Sequence, residues 1–396
     1  MKIGIAWFTQ SQRPSSGWCY RDGHVLQFGS IGDLDHSVIW LTNIGHSVFN
    51  NSQLWQFPFL REDQYLRLGL TQISRELGLD MTLFESIKKL GEIVCPTALS
   101  MSKLFEVDLF EQKYRLFQGM VPSLVPQQYI APISEDSPEY TQRAITNSFQ
   151  SLQGATKGVR TNAKVVTFTL PRVALANWLL SQRYPLSSKY KEIKISDSSI
   201  IAGHLNGSDL EGTKVIVEQL KVLHRRYAVF MKVNILSMSK DYVQGFTFGF
   251  EGATTNMRQW VSLPELIELL SYCKVEILDG VATSCGLLEC RPDIDFEQNN
   301  ISYSRGIIAD NIVATFAEKA SDGTAGRRVT ALGAYLRAYD RIVCGRLAQE
   351  FMRKGFPLAG FGGGGVRIWA NVAGMEVAKK IALQWGATSD FAQMNQ

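Results

Sequence analysis

No stretch of about 18 consecutive apolar residues occurs in this chain of 396 residues, so the sequence offers no membrane-spanning helix. Cysteine is sparse. Cys19, Cys95, Cys273, Cys285, Cys290 and Cys344 stand too far apart for a small disulfide scaffold or a paired zinc ribbon. Structural thiols in a reducing cytoplasm are the expectation. The amino terminus has one lysine and a short apolar run before the polar Thr9–Pro14, and lacks the longer apolar region of a secretory signal. A strong charge of either sign is missing too: 41 basic and 37 acidic residues leave +4, far from a histone-like excess. Nor does the chain contain a Walker A sequence, a GxSxG elbow, an HExxH pair or a recognisable Cys–His signature. No catalytic residue, resident metal or cofactor is therefore assigned.

What is present describes a globular protein. Hydrophobic residues make up 45% and charged residues 20%, enough apolar side chain for a substantial core. The first 60 residues hold four of the eight tryptophans, Trp7, Trp18, Trp40 and Trp55, among frequent glycines. Short apolar runs such as Lys2–Phe8, His24–Phe28 and Ser37–Leu41 predict strands and turns. From Glu62 to about Val94 the apolar residues recur at three- and four-residue steps, which predicts amphipathic helices. Strand-forming runs return at Ala163–Leu170, Tyr227–Val233 and Tyr242–Phe250, and the last two predict a hairpin. Helical patterns recur at Leu175–Leu180, Leu210–Leu223 and Leu263–Leu270, then at Ile307–Ala320 and Val329–Arg353. Gly355 and Pro357 stop the last of these.

The fold class is α+β: a β-rich and helical amino-terminal part, a central antiparallel sheet with helices, and a mostly helical carboxy-terminal part. The expected blocks are 1–121, a Pro- and Ser-containing connection 122–147, a mixed core 148–300, and a basic region 301–396 with a glycine loop.

Five constellations bear on function. Gly360–Gly365 matches GxGxxG and is followed by a helix-compatible run from Val366 to Trp385, yet too little chain remains to complete a βαβ unit. A structural turn is the plain reading; the alternative is a loop, at Gly362, Gly363 and Gly364, whose backbone approaches phosphate. The second constellation is basic: residues 301–396 hold twelve Lys and Arg against seven Asp and Glu, so the chain's positive excess sits there. Arg327, Arg328, Arg337, Arg341, Arg346, Arg353, Lys354 and Arg367 are the candidate phosphate contacts, and a solvated helix with pairs such as Arg346–Glu350 is the competing reading. Third, Leu70–Ile87 resembles a helix-turn-helix pattern, but Asp80, Met81, Leu83 and Glu85 stand where a DNA reader would carry Arg, Asn or Gln; a plain helical hairpin fits better. Fourth, Cys19, His24, His36 and His46 have the donors of a zinc site but irregular gaps. Fifth, Asp293 and Asp295, with Glu289 and Asp279 nearby, could hold Mg²⁺, although an acidic turn is the simpler account.

Three function classes follow. The first is a non-catalytic nucleic-acid-binding assembly subunit, ribonucleoprotein- or nucleocapsid-like, from a mobile element or phage. Its carboxy-terminal arginines would take RNA or single-stranded DNA rather than duplex, and it would work with other protein subunits or copies of itself. The second is a structural or secretion-complex subunit that binds only proteins through its aromatic surfaces. The third is a metal-dependent phosphotransfer enzyme or nuclease using Asp293 and Asp295. The uneven charge favours the first.

Overall fold

The computed structural model describes residues 2–104, 106–113, 133–148, 163–193, 200–201, 210–238, 260–287, 303–304, 306–311, 313 and 330–389. Its antiparallel sheets and helices make an α+β protein. Two compact units divide the chain. One takes Met1–Val125, Arg172–Asn177 and Cys290–Thr315; the other takes Pro126–Pro171, Trp178–Glu289 and Phe316–Gln396.

The first unit is built on β1 (Lys2–Phe8), β2 (Gly17–Arg21), β3 (His24–Phe28), β4 (Val38–Thr42) and β5 (Leu60–Arg61), in the order β3-β2-β1-β4-β5. β1 runs antiparallel to β2 and parallel to β4, so the sheet is mixed. Its helices are α1 (His46–Asn51), α2 (Leu70–Glu76) and α3 (Phe84–Leu104). Alternation along β1 sends Ala6 and Phe8 into a cluster with Phe28, Val38, Trp40 and Phe59. Ile3 and Ile5 point the other way and are also buried, on the side where α3 packs. Burial of both faces explains why β1 and β4 read as almost continuous apolar runs.

Close approach of α3 requires Gly91. A Cβ there would lie 2.1 Å from the buried Tyr20 ring on β2. Gly91→Ala should therefore cost about 1–3 kcal/mol through overpacking, despite the better helix propensity of alanine. Urea unfolding checks this, and an unchanged or raised midpoint would contradict it.

The second unit contains α4 (Thr141–Ser148), β6 (Lys164–Thr169), β7 (Arg183–Pro185), β8 (Lys191–Glu192), β9 (Ile200–Ile201), α5 (Leu210–His224) and β10 (Tyr227–Met238). It continues through β11 (Trp260–Ser262), α6 (Leu263–Leu269), β12 (Cys273–Leu287), α7 (Ala331–Arg353), β13 (Leu358–Phe361), β14 (Gly365–Ala370), α8 (Met375–Gln384) and β15 (Thr388–Ser389). β10 and β12 make a long antiparallel ladder, with β11 on the free edge of β10 and β7 to β9 along β12. The expected hairpin partner Tyr242–Phe250 lies outside the described residues. A separate antiparallel sheet has the order β13-β14-β6-β15.

Between these sheets runs α7, buried around most of its circumference. Its Tyr335 hydroxyl accepts from Val229 N at 2.6 Å and donates to Val229 O at 2.9 Å, which pins the helix to β10. Phe351 packs on Phe168 of β6, with ring centroids 4.9 Å apart. The all-round burial explains why α7 has no clean amphipathic stripe.

The carboxy-terminal region corrects one expectation. Gly365–Ala370 is a strand and not the start of a helix, and Leu358–Phe361 before it is also a strand. Only from Met375 does the chain turn helical. Val366, Ile368 and Ala370 are buried while Gly365, Arg367 and Trp369 are not, a two-residue period that β-branched and aromatic side chains reinforce.

Candidate nucleic-acid interface

The glycine loop is the tip of the β13–β14 hairpin. Gly362, Gly363 and Gly364 have φ of 112°, 66° and 81°, backbone that L side chains rarely adopt. Beneath the tip lies Asp340 of α7, a buried carboxylate. Its Oδ2 accepts from Gly363 N at 2.5 Å and its Oδ1 from Gly364 N at 2.8 Å, while Gly362 N donates to Gly365 O at 2.9 Å. The successive amides form an anion nest, and the protein supplies its own anion. Cys344, one turn along α7, donates to Asp340 Oδ1, and burial, with this carboxylate adding to it, pushes its thiol well above the usual range. The amides expected to cradle phosphate are thus engaged within the protein, two on Asp340 and one on Gly365 O.

The arginines separate into distinct environments. Arg341 is fully buried: its Nε donates to Glu265 Oε1 at 2.8 Å and its Nη2 to Ser148 O at 2.8 Å. That corrects its expected place on a phosphate-binding surface, because a guanidinium 0% exposed cannot reach a solvated polyanion. Arg346 is about half exposed but holds Glu268 through two hydrogen bonds of 3.0 and 2.7 Å. Arg353 pairs with Glu350 at 2.8 Å, one turn away on the same helix. Arg337 is half-buried. Lys354 and Arg367 are exposed and have no carboxylate partner among the described residues. Arg327 and Arg328 lie outside the described residues, as do Asp293, Asp295 and Glu289.

Arg367 sits on the face of the β13-β14-β6-β15 sheet turned away from α7. Alternation places it there with Gly365 and Trp369 of β14 and with Val165, Thr167 and Thr169 of β6. The register aligns Gly365 with Thr169, Arg367 with Thr167, and Trp369 with Val165. Gly360 of β13 stands on the other side of Arg367, and Thr388 of β15 pairs Thr169. Lys164 and Arg367 are the two charged residues of these four strands, which contain no Asp or Glu. By the same alternation Lys164 falls on the opposite face with Val166 and Phe168, so the Arg367 face takes its charge from Arg367 alone among these strands and carries an indole and the threonines of β6 beside it. Arg367 is recognisable in the sequence by its charge, whereas Trp369 is not singled out by it. The period-two pattern Gly365–Arg367–Trp369 was the available signal.

The Cys19, His24, His36 and His46 side chains do not assemble. Cys19 is on β2, His24 on β3, and His36 stacks on Phe59 at 4.4 Å between centroids. His46 Nδ1 meets Glu62 Oε2 at 2.6 Å. Among the described residues no three His, Cys, Asp or Glu side chains gather as a metal site. Leu70–Ile87 forms α2, a turn with Gly78 at φ 64°, and the start of α3. Asp80 accepts from Thr82 N and Oγ1 at 3.0 and 2.7 Å, so this residue organises the turn itself.

No protein-family model matches the chain, and no curated protein matches it. Three solved structures are similar to it over 93% of its length and 80% of theirs. They are Phi29 DNA polymerase with primer–template DNA (8% identity, TM-score 0.38), the same enzyme with primer–template DNA and incoming nucleotide (8%, 0.34), and with single-stranded DNA (9%, 0.38).

Proposed function

We propose that this protein is a non-catalytic nucleic-acid-binding subunit whose contact surface is the Arg367 face of the β13-β14-β6-β15 sheet. One observation carries the reading: an exposed arginine without a carboxylate partner among the described residues stands on a sheet whose strands contain no acid. Phosphate approaching Arg367 meets no competing anion on those strands, whereas Arg346 and Arg353 already serve Glu268 and Glu350. Lys354, exposed just past the end of α7, is a second candidate of the basic region with no carboxylate partner among the described residues.

Assembly with protein partners is a second element of the proposal. Trp55 and Phe57, both in the connection from α1 to β5, are 60% and 36% exposed, and both are residue types enriched at interfaces. The five described cysteines are unpaired thiols, which supports a reducing compartment such as the cytoplasm.

Binding of the nuclease-treated protein to labelled RNA, single-stranded DNA and duplex DNA across a salt series tests the reading. Arg367→Gln should weaken binding at low salt and reduce the slope of log affinity against log salt by about one. Absence of binding at low salt, or an Arg367→Gln slope equal to wild type, would overturn it.

A further inference from the structure

The geometry points to a single-stranded nucleic acid as the occupant of this face, with one base stacked on Trp369 and the adjoining phosphate held by Arg367. The inference rests on the proposed function and names its ligand class. Trp369 and Arg367 are two residues apart on the same face of β14, so their Cα atoms are separated by about 7 Å along the strand. A ring and a cation at that spacing match what a nucleotide presents: a flat base attached to a charged backbone.

The surroundings favour this pairing. Gly365 lies on one side of Arg367 along β14 and Gly360 opposite it on β13, so no side chain rises beside the guanidinium there. A Cβ at Gly365 would meet Phe168 O at 2.8 Å, which keeps that position bare. Thr167 pairs Arg367 across the sheet, and Thr169 pairs Gly365. Val165, opposite Trp369, gives the indole an apolar neighbour. Trp369 is only partly exposed, and its backbone N–H donates to Pro357 O at 2.8 Å, so the strand that carries the ring is fixed before any ligand arrives. Less freedom is then lost on binding.

A duplex cannot use this arrangement well. Its bases are stacked on one another and expose only their edges, whereas an indole recognises the plane of an unstacked base. Charge alone would hold duplex and single strand alike; the tryptophan distinguishes them.

Fluorescence anisotropy of the full chain with a labelled single-stranded oligonucleotide and a duplex of equal length, at one fixed salt concentration, tests the assignment. Trp369→Ala should weaken single-strand binding about 5- to 150-fold, the range that loss of one stacked base produces, and leave duplex binding and the salt slope unchanged. Trp369→Phe, which keeps an aromatic plane and strand propensity, should recover most of the affinity. Ultraviolet cross-linking of the wild-type complex should place the adduct on the peptide containing Trp369, a readout that needs no variant to fold. Equal single-strand affinity of wild type and Trp369→Ala, or an adduct found only elsewhere, would overturn the inference. If Arg367→Gln still weakened binding in that case, the broader function would stand. Loss of duplex and single-strand binding together in a folded Trp369→Ala would reject base stacking in favour of a general role in the surface.

Discussion

Arg341→Met is expected to destabilise the second unit by about 3–5 kcal/mol, among the largest effects of any single substitution in the described protein. The loss does not measure the strength of the Arg341–Glu265 pair. Both side chains are out of water, so both charges have already lost their hydration. Removing the guanidinium takes the opposite charge away from Glu265, which is 2% exposed and accepts from the Ser262 amide and hydroxyl at 3.4 and 3.2 Å. Ser148 O loses its donor at the same time. Adding Glu265→Gln should therefore restore more than half of the deficit, because the neutral amide can still cap α6 and no longer leaves a buried charge. Urea unfolding of wild type, both single variants and the pair provides the thermodynamic cycle. A double variant no more stable than Arg341→Met would contradict this account.

Asp340→Ala should cost a similar amount, about 3–5 kcal/mol, for a different reason. Here the missing carboxylate leaves two hairpin amides, Gly363 N and Gly364 N, without their acceptor, and each charge-assisted bond contributes about 1.5–3 kcal/mol. The three glycines at positive φ are inherently mobile and depend on that acceptor for a single conformation. Hydrogen exchange at the β13–β14 tip should accelerate more than exchange along β10 and β12. Asp340→Asn should fall between wild type and alanine, since its amide oxygen can accept one bond while its NH₂ group opposes the other N–H. Nucleic-acid affinity should fall in Asp340→Ala as well, because the hairpin fixes the strand that carries Arg367 and Trp369. Unchanged exchange at Gly363 and Gly364 would show that the carboxylate does not hold the turn.

These two neighbours show how much of the site was visible in the sequence. Asp340 and Arg341 are adjacent on α7, and their formal charges cancel in any local count. Nothing within a few residues says that one faces a glycine hairpin 23 positions ahead and the other a glutamate 76 positions behind. The clustering of arginines after residue 300 fits either a phosphate-binding surface or a solvated helix with pairs such as Arg346–Glu350; in the structure Arg341 is core, Arg346 pairs with Glu268 and Arg353 with Glu350. Sequence supplies the sign of a charge. Solvent access and counter-charges come from elements brought together by folding.

Local structure was more accessible. His24–Phe28 was expected as a strand and is one, and Ala163–Leu170 brackets β6 within a residue at each end. Leu210–Leu223, Leu263–Leu270 and Val329–Arg353 likewise correspond closely to α5, α6 and α7. Each signal is carried by neighbouring residues, through a repeated apolar period, a proline near a helix start, or β-branched side chains. β14 was harder because its Val366-Arg367-Ile368-Trp369 run is short enough to fit either period, and the glycines before it suggested a loop-to-helix motif.

The α+β class, most of the strands and helices, and the lack of a long apolar span are legible in the amino-acid order, because those properties depend on residues close together along the chain. Tertiary structure alone decided that Asp340 occupies the glycine nest, that Arg341 belongs to the core, and that Arg367, Trp369 and Thr167 share a sheet face. Those outcomes depend on pairings between β6, β14 and α7, whose distant segments meet only when their apolar faces are buried together.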